Sequence, residues 1–309
     1  MEYSIGIDIG GTKIAAGIIS KEGEVVHKST VPTPSMGKDE ILSLLKEIIQ
    51  NLLEWAADQQ LALEGIGIGT AGQVGFFEGK IVSGTPNIKN WNGVPLRDEI
   101  QAYTDLPIYI DNDVNVLTLA EYQFGAAKGC EEVICLALGT GVGGGVLTKG
   151  ELIRGTWGGG AELGHMTIDM NGKECNCGLR GCLETYASGT WIAKRMQELL
   201  EESGLDSNIT SYDVIRLYHE EDEMAGQVIQ TMIRGLANGI VNLIHLFNPQ
   251  VVVLGGGVMS NGQWIIDLLK DEMKTMGMRS LVDDVEIRQS ELHNDSGLIG
   301  AAIQTWLYK

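Results

Sequence analysis

Apolar residues recur along the chain with two different spacings, which together predict an alternation of strands and helices. Short apolar runs bounded by Gly, Pro or Asn predict strands, and they cover residues 3–9, 14–20, 24–33, 65–72, 106–113, 131–148, 250–258 and 285–290. Apolar residues at helical spacing predict helices, and these cover residues 38–57, 114–126, 187–203, 211–219, 222–247, a segment beginning near 261, and 296–308. This order of elements predicts an α/β fold.

Three glycine-rich turns follow predicted strands. They are Gly10-Gly11-Thr12-Lys13, Gly139-Thr140-Gly141 and Gly255-Gly256-Gly257. Backbone N–H groups in such turns can bind an anion, and Asp8 at the end of the first strand could orient a magnesium ion through water. An ordinary glycine hairpin is an equal alternative for the first turn. The chain has no GxxxxGK[ST] motif, so it is not a P-loop protein.

The first two turns share one design, in which an apolar strand, a glycine turn and a second apolar strand follow one another. This repeat predicts two related domains that face each other across a cleft. We expect a small N-terminal lobe of residues 1–113 that is completed by the C-terminal helix, residues 296–309. The remaining residues, 114–295, are then expected to form the large lobe.

Residues 162–184 hold one histidine and three of the five cysteines. His165, Cys175, Cys177 and Cys182 make up the ligand set of a tetrahedral zinc site, and the glycines between them allow a tight loop. A disulfide loop is the alternative, but it requires an oxidising compartment. The sequence therefore predicts a zinc loop at residues 165–182.

Two acids flank this zinc loop. Glu162 lies three residues before His165, so a helical turn places both on one face. If one ring nitrogen of His165 binds the metal, the other can face a polar ligand. We therefore expect the loop to aim Glu162, His165 and Glu184 at a substrate rich in hydroxyl groups.

Two further segments carry candidate polar contacts. The strand 106–113 ends in Asn112 and Asp113, where α/β proteins place chemistry. Asp113 is a candidate reactive acid, and an N-cap role for the following helix fits its position equally well. Asn87, in the Asn/Gly-rich loop 84–96, is a candidate sugar contact because a carboxamide both donates and accepts. A plain turn role is the alternative for Asn87.

Composition narrows the class of protein. The chain has 309 residues, 44% of them hydrophobic, and a formal net charge of −19. A protein that binds a phosphate backbone would be basic, so nucleic acid is not expected as a partner. The N-terminus lacks the basic segment of a signal peptide, and polar residues interrupt the most apolar span, 239–259, so it should not cross a membrane. We therefore expect a cytoplasmic protein.

Five motifs together resemble the ROK family of sugar kinases and repressors. They are DIGGTK at 8–13, NDVN at 112–115, LGTGVGGG at 138–145, AELGHM at 161–166 and CNCGLRGCLE at 175–184. The resemblance runs the whole length of the chain, and the His–Cys–Cys–Cys loop is its most specific mark. It implies the two-lobed actin-like ATPase fold of hexokinases, with ATP, Mg²⁺ and a sugar between the lobes. It also implies a homodimer and transfer of the ATP γ-phosphate to a hexose hydroxyl, usually the 6-hydroxyl.

The match implies roles position by position. Asp113 becomes the base for the sugar hydroxyl. The implied sugar contacts are Asn87, Asn112, Glu162, His165 and Glu184. The implied ATP-binding residues are Asp8, Gly10, Gly11, Thr12 and Lys13 in the first phosphate loop, Gly139, Thr140 and Gly141 in the second, and Gly255, Gly256 and Gly257 near adenosine. The implied zinc ligands are His165, Cys175, Cys177 and Cys182.

One departure from the family pattern concerns the sugar. Glucokinases of the family often carry proline after the strand glycine, whereas this chain has Thr70-Ala71-Gly72, which resembles kinases of N-acetylated amino sugars. Alanine removes the proline ring and restores a backbone N–H, which could make room for an acetamido group and hydrogen-bond to it. The sequence thus predicts 6-phosphorylation of glucose or of an N-acetylated amino sugar such as N-acetylmannosamine or N-acetylglucosamine.

Three other functions are alternatives to this prediction. A fructokinase or glycoside kinase of the same family is the main alternative. A repressor would carry a helix-turn-helix before the kinase-like body, and DIGGTK begins here at Asp8, so a DNA-binding regulator is not expected. A catalytically inactive sugar-binding regulator is a remote alternative, because Asp113 and both glycine loops are present.

Overall fold

The computed structural model of the chain describes residues 1–85 and 88–309, so Asn87 lies outside the described residues. The described strands are β1 (Tyr3–Ile9), β2 (Lys13–Ser20), β3 (Val25–Pro32), β4 (Leu63–Thr70), β5 (Gln73–Gly75), β6 (Lys80–Ser83), β7 (Ile108–Asn112), β8 (Val133–Leu138), β9 (Val142–Thr148), β10 (Glu151–Leu152), β11 (Val251–Gly255) and β12 (Glu286–Gln289). The described helices are α1 (Lys38–Asp58), α2 (Leu96–Gln101), α3 (Asp113–Gln123), α4 (Glu184–Ala187), α5 (Gly189–Glu202), α6 (Ser211–His219), α7 (Glu223–Phe247), α8 (Gln263–Met273), α9 (Arg279–Val282) and α10 (Ser296–Leu307). Short 3₁₀ turns cover Leu163–His165, Gly257–Met259 and His293–Asp295.

The predicted strands and helices are all present, with bounds that differ by a few residues. The structure adds the β5–β6 hairpin, the strand β10 and the short helices α2, α4 and α9, which apolar spacing did not predict. These elements are only two to six residues long. Segments this short do not complete enough periods to show helical or strand spacing.

The chain divides into two compact units, and the first comprises Met1–Gly129, Leu152–Ala161 and Leu292–Lys309. Its sheet has the strand order β3-β2-β1-β4-β7. The β1–β2 and β2–β3 pairs are antiparallel, whereas β4 and β7 run parallel to β1. The carboxyl ends of β1, β4 and β7 therefore meet at one edge of the sheet, the edge that α/β proteins use for ligands.

The C-terminal helix α10 packs closely within this first unit. A Cβ on Gly67 of β4 would lie 1.7 Å from the carbonyl oxygen of Ala301, and a Cβ on Gly300 would lie 1.7 Å from that of Val116 in α3. Backbones this close leave room only for glycine. The last helix, which the sequence led us to expect on the N-terminal part, lies in the first unit against β4 and α3. Because α3 packs on α10, it belongs to the first unit, whereas the sequence-based division placed it in the large lobe.

The second unit comprises Cys130–Glu151 and Glu162–Glu291, and its sheet repeats the topology of the first. The strand order is β10-β9-β8-β11-β12, with β8 and β9 antiparallel and β11 and β12 parallel to β8. The predicted repeat of strand, glycine turn and strand is therefore confirmed. Helix α7 buries one apolar face in this unit, as expected of an amphipathic helix. Among the described residues, none of the helices combines the length and apolar character that crossing a bilayer requires.

Candidate functional site

The first glycine turn closes the β1–β2 hairpin. The N–H of Gly10 donates to the Lys13 carbonyl at 3.0 Å, and the Thr33 hydroxyl donates to the Gly10 carbonyl at 2.7 Å. The N–H of Thr33 also donates to the Thr12 carbonyl at 3.0 Å. These bonds fix the turn, while Thr12 and Lys13 remain exposed. The turn is therefore held by its own backbone and by Thr33, with Thr12 and Lys13 exposed to solvent.

Asp8 lies at the end of β1, and its carboxylate contacts the first turn of α10. A Cβ on Gly297 would lie 2.5 Å from Asp8 Oδ2, so the contact depends on glycine. Burial and the negative charge of Asp113 raise the pKa of Asp8 to about 7, although Lys13 acts in the opposite direction. Asp8 and Asp113 are therefore close enough to interact, and a bound cation such as Mg²⁺ would favour the ionised form of both.

Asn112 is the N-cap of α3, and Asp113 is the first residue of the helix. Asn112 Oδ1 accepts from the N–H groups of Val114 at 2.8 Å and Asn115 at 3.3 Å, which satisfies two donors at the helix start. Asp113 Oδ1 lies 3.0 Å from the nitrogen of Val114. The N-cap interpretation of Asp113 is therefore wrong. The helix N-terminus instead stabilises the Asp113 carboxylate through the helix dipole.

The Thr70-Ala71-Gly72 segment is fixed by hydrogen bonds on both sides. The Thr70 hydroxyl accepts from Trp91 Nε1 at 3.2 Å, and the Gly72 carbonyl accepts from Asn112 Nδ2 at 3.0 Å. The N–H of Ala71 donates to the Ile9 carbonyl at 3.1 Å. The expectation that this N–H binds an acetamido group is therefore wrong, because β1 already takes it.

A buried ion pair joins Asp111, the residue before Asn112, to Arg154. Arg154 Nε donates to Asp111 Oδ2 at 2.7 Å, and the two side chains are 11% and 0% exposed. Arg154 Nη2 donates to the Tyr308 hydroxyl at 2.6 Å. The guanidinium carbon also lies 4.0 Å from the ring centre of Phe76 and 4.7 Å from that of Tyr308. Neither Arg154 nor Asp111 was singled out from the sequence, because 43 positions separate them.

The four predicted zinc ligands gather in one cluster in the second unit. The ligand atoms of His165, Cys175, Cys177 and Cys182 all lie within 4.8 Å of one another. His165 Nδ1 is 3.5 Å from Cys175 Sγ, and Cys177 Sγ is 3.5 Å from Cys182 Sγ. A tetrahedral zinc ion holds thiolate ligands roughly 3.8 Å apart, whereas a disulfide needs about 2.05 Å. The spacing therefore fits zinc and excludes a Cys177–Cys182 disulfide.

Metal binding would change the protonation of the thiols in this cluster. Burial raises the pKa of Cys175, and it raises the pKa of Cys182 to about 12. Zinc binds the thiolate form, and its charge stabilises that form. The loop backbone is built for this spacing. Gly181 has a φ of 60°, and a Cβ there would lie 1.7 Å from the Asp169 carbonyl oxygen.

Glu162 and His165 lie on one 3₁₀ turn, as their spacing predicted. The N–H of His165 donates to the Glu162 carbonyl at 3.0 Å. This turn packs directly on the start of β9, where a Cβ on Gly164 would lie 1.9 Å from the Val142 carbonyl oxygen. Because Nδ1 of His165 faces Cys175, Nε2 is the ring nitrogen suited to a ligand outside the cluster.

Glu184 is the first residue of α4, and its carboxylate contacts the second glycine turn. Glu184 Oε2 accepts from the N–H of Val142 at 3.0 Å. The same oxygen would lie 2.4 Å from a Cβ on Gly141, so glycine makes room for it. This contact was not anticipated from the sequence, which suggested Glu184 only as a sugar contact.

The start of α5 supports the same glycine turn. The N–H of Gly189 donates to the Gly139 carbonyl at 2.8 Å, and the Thr190 hydroxyl donates to the Thr140 carbonyl at 2.7 Å. The carbonyls of Gly139 and Thr140 are thus held by the start of α5.

The third glycine turn lies beside the second. Gly256 has a φ of 87°, and a Cβ there would lie 2.5 Å from the carbonyl oxygen of Leu138, the last residue of β8. A Cβ on Gly257 would lie 3.1 Å from the Tyr212 hydroxyl. The predicted second phosphate loop and the predicted adenosine turn are therefore neighbours.

Three comparisons describe what the chain is similar to. A glucokinase of Thermotoga maritima is 34% identical over 308 residues, which cover 96% of this chain and 95% of the relative. A solved ROK family glucokinase from Streptomyces griseus, in complex with glucose and AMPPNP, is 30% identical with a TM-score of 0.82, covering 97% of this chain and 98% of the other. A putative N-acetylmannosamine kinase from Listeria monocytogenes is 27% identical with a TM-score of 0.83, covering 99% of each chain.

The family profile that matches is that of the ROK family, over residues 4–306. The motifs that first suggested this family occupy the positions just described, from the first glycine turn to the cysteine cluster. Since both the profile and the structural matches extend over nearly the whole length, the chain belongs to the ROK family and has its actin-like ATPase fold.

Proposed function

We propose that the protein is an ATP-dependent hexose kinase that transfers the γ-phosphoryl group of ATP to the 6-hydroxyl of an aldohexose. The observation that carries this proposal is the pair of interacting acids in the first unit, Asp8 and Asp113. Both lie at the carboxyl edge of the parallel strands, and Asp8 lies two residues before a glycine turn. Phosphoryl transfer to a hydroxyl requires an acid beside the cation, a base and donors for the phosphates.

The proposed reaction moves one proton and one phosphoryl group. The sugar 6-oxygen attacks the γ-phosphorus as its proton passes to the Asp113 carboxylate. The bond from the γ-phosphorus to the bridging oxygen breaks, and ADP leaves with that electron pair. Backbone donors of the glycine turns bind phosphate oxygens. Magnesium bound with ATP would supply positive charge for the transferring group, and Asp8 is the residue that would hold it.

The sugar contacts come from the zinc loop in this proposal. The cysteine cluster orients His165 so that Nε2 is presented to a sugar hydroxyl, and a metal ion on Nδ1 would fix this tautomer. Glu162 lies on the same turn. Glu184 contributes its carboxylate from the other end of the loop. Carboxylates accept hydrogen bonds from hydroxyl groups, and with a metal ion on Nδ1 the protonated Nε2 of His165 would donate one to a hydroxyl oxygen.

Glucose is the first candidate substrate, and an N-acetylated amino sugar is the second. The similarity to named glucokinases supports glucose, and the engaged N–H of Ala71 removes one reason for an acetamido preference. The second candidate is favoured by Ala71 itself, since it has no proline ring to occupy the space beside Thr70.

The test is an ADP-coupled kinase assay on the purified full chain with glucose, mannose, fructose, N-acetylglucosamine and N-acetylmannosamine. The position of the phosphate on each product is read by NMR. We expect ATP-dependent 6-phosphorylation, with kcat/KM for glucose at least equal to that of either amino sugar. An advantage of more than about tenfold, or roughly 1.4 kcal/mol, for an amino sugar would select the second candidate. A preference for fructose would select the fructokinase alternative, and phosphorylation of no sugar would refute the proposal.

A further inference from the structure

We propose that Arg154 is a positioning residue for the base Asp113 and acts through Asp111. This inference rests on the proposed kinase function. Arg154 touches neither Asp113 nor, in the proposed reaction, the substrates. It lies in a segment of the first unit, Leu152–Ala161, to which the family motifs assign no role in the reaction.

Arg154 is held in one place by four neighbours. Its Nε donates to Asp111 and its Nη2 donates to Tyr308. The guanidinium also lies over the rings of Phe76 and Tyr308, which attract a cation. The carbonyl of Arg154 accepts from the N–H of Gly160 at 2.9 Å, so the backbone is fixed as well. A side chain with this many constraints sets the position of its partner.

Asp111 in turn holds the residues on both sides of Asp113. Its Oδ1 accepts from the backbone N–H of Asn112 at 2.8 Å and from Asn115 Nδ2 at 2.7 Å. Asn112 is the N-cap of α3, and Asn115 lies on the first turn of the helix. The Asp111 carboxylate thus bonds the residue before Asp113 and the residue two positions after it. A change at Asp111 will therefore move the start of α3 together with Asp113.

Stability alone does not account for this pair. A buried ion pair contributes little net stability, because desolvation offsets the attraction, and apolar residues of similar size often do as well. The hydrogen bonds to both carboxylate oxygens of Asp111 instead specify one geometry. Precise placement matters for a base, since a displacement of about 1 Å can cost roughly 100-fold in rate. The ion pair is suited to that task.

The experiment compares Arg154→Gln and Arg154→Lys with the matched control Arg97→Gln. Arg97 donates to the carbonyls of Phe76 and Phe77 in the β5–β6 hairpin, and the Phe76 ring of this hairpin also contacts Arg154. Arg97 makes no contact with Asp111. We expect Arg154→Gln to lower kcat about 100-fold while KM for sugar and ATP changes less than about threefold. Arg154→Lys should be intermediate, because one ammonium does not reproduce the two-sided geometry of a guanidinium. Arg97→Gln should keep kcat near the wild-type value.

A second variant covers the case in which Arg154→Gln fails to fold because Asp111 is left buried without its partner. The double variant Asp111→Asn with Arg154→Gln removes both charges and should fold, yet kcat should still be lowered by about tenfold or more. A folded single or double variant with kcat within about threefold of wild type would overturn the inference, as would an equal loss in Arg97→Gln. A wild-type protein that phosphorylates no hexose would instead refute the proposed function, so the two failures are distinguishable.

Discussion

The carboxylate of Glu184 accepts a hydrogen bond from the backbone N–H of Val142 at 3.0 Å. Val142 is the residue that follows the second glycine turn, and Glu184 lies two positions after the cysteine-cluster residue Cys182. The carbonyl of Val142 lies against Gly164, in the turn that carries His165. A single backbone position therefore connects the proposed phosphate loop with both ends of the proposed zinc loop.

This contact predicts different outcomes for two substitutions of Glu184. In Glu184→Gln the amide oxygen can still accept from Val142, so we expect a higher sugar KM and an ATP KM within about twofold of wild type. In Glu184→Ala the proposed sugar contact and the hydrogen bond from Val142 are both lost. A hydrogen bond to a charged group contributes about 1.5–3 kcal/mol, so ATP KM should also rise about tenfold or more. Steady-state kinetics with each substrate varied in turn provide the measurement. Equal ATP KM values in the two variants would show that the contact does not support the phosphate loop.

Metal removal tests the cysteine cluster. The chain should carry about one zinc per molecule, given four closely spaced ligands. Cys177→Ser should lose the metal, and the sugar KM should rise more than the ATP KM because His165 is itself a ligand. The melting temperature should also fall, because a structural metal contributes directly to folding. Elemental analysis, kinetics and thermal melts measure the three effects.

The matched control for the metal is Cys130→Ser, which lies outside the cluster. It should keep the zinc content and the kinetics of the wild-type protein. A zinc-free Cys177→Ser protein with unchanged sugar KM would show that the loop does not shape the sugar site.

The raised pKa of Asp8 predicts a pH dependence of stability. Its pKa is 3.8 in a model peptide and about 7 in the folded protein, so between these values the folded state binds a proton that the unfolded state lacks. The contribution of Asp8 to the free energy of unfolding therefore falls as pH rises through this window. Asp8→Asn has no such proton, and it should gain stability relative to wild type between pH 4 and pH 7, by at most about 4 kcal/mol.

Denaturant unfolding of both proteins across this pH range, in buffer without divalent cations, measures the difference. Asp58→Asn, an exposed acid of the same unit, is the matched control and should show a flat difference. A flat difference for Asp8→Asn as well would mean that the Asp8 carboxylate titrates normally in the folded protein.

Features that depend on short stretches of chain could be predicted from the sequence. The cluster of His165, Cys175, Cys177 and Cys182 spans 18 positions, and the residue types alone indicated the metal. The glycine turns followed from glycines beside apolar runs, and the repeated sheet topology followed from the repeat of that pattern. The apolar spacing of helix α10 was visible in the sequence. Only the structure shows that glycine lets this helix approach β4 so closely.

Contacts between distant residues could not be predicted in this way. Arg154 and Asp111 are 43 positions apart, and Glu184 and Val142 are 42 apart. Considered alone, Arg154, Asp111 and Val142 have ordinary roles as charged or strand residues, and Glu184 showed only as a possible sugar contact. The mistaken role of the Ala71 N–H has the same origin, because its partner Ile9 is set by how β4 pairs with β1. Pairing between strands depends on tertiary structure.

The central claim is that Asp113 is the base of an ATP-dependent hexose kinase, and Asp113→Asn tests it most directly. The amide keeps the size of the side chain but does not accept the hydroxyl proton, and loss of a general base costs about 100- to 10,000-fold in rate. Asp105→Asn, an exposed acid of the same unit, serves as the control. The measurement is kcat of both variants together with the Kd of the sugar. We predict that Asp113→Asn loses at least about 100-fold in kcat with sugar binding retained, while Asp105→Asn is unaffected. A kcat of Asp113→Asn near the wild-type value would contradict the assignment.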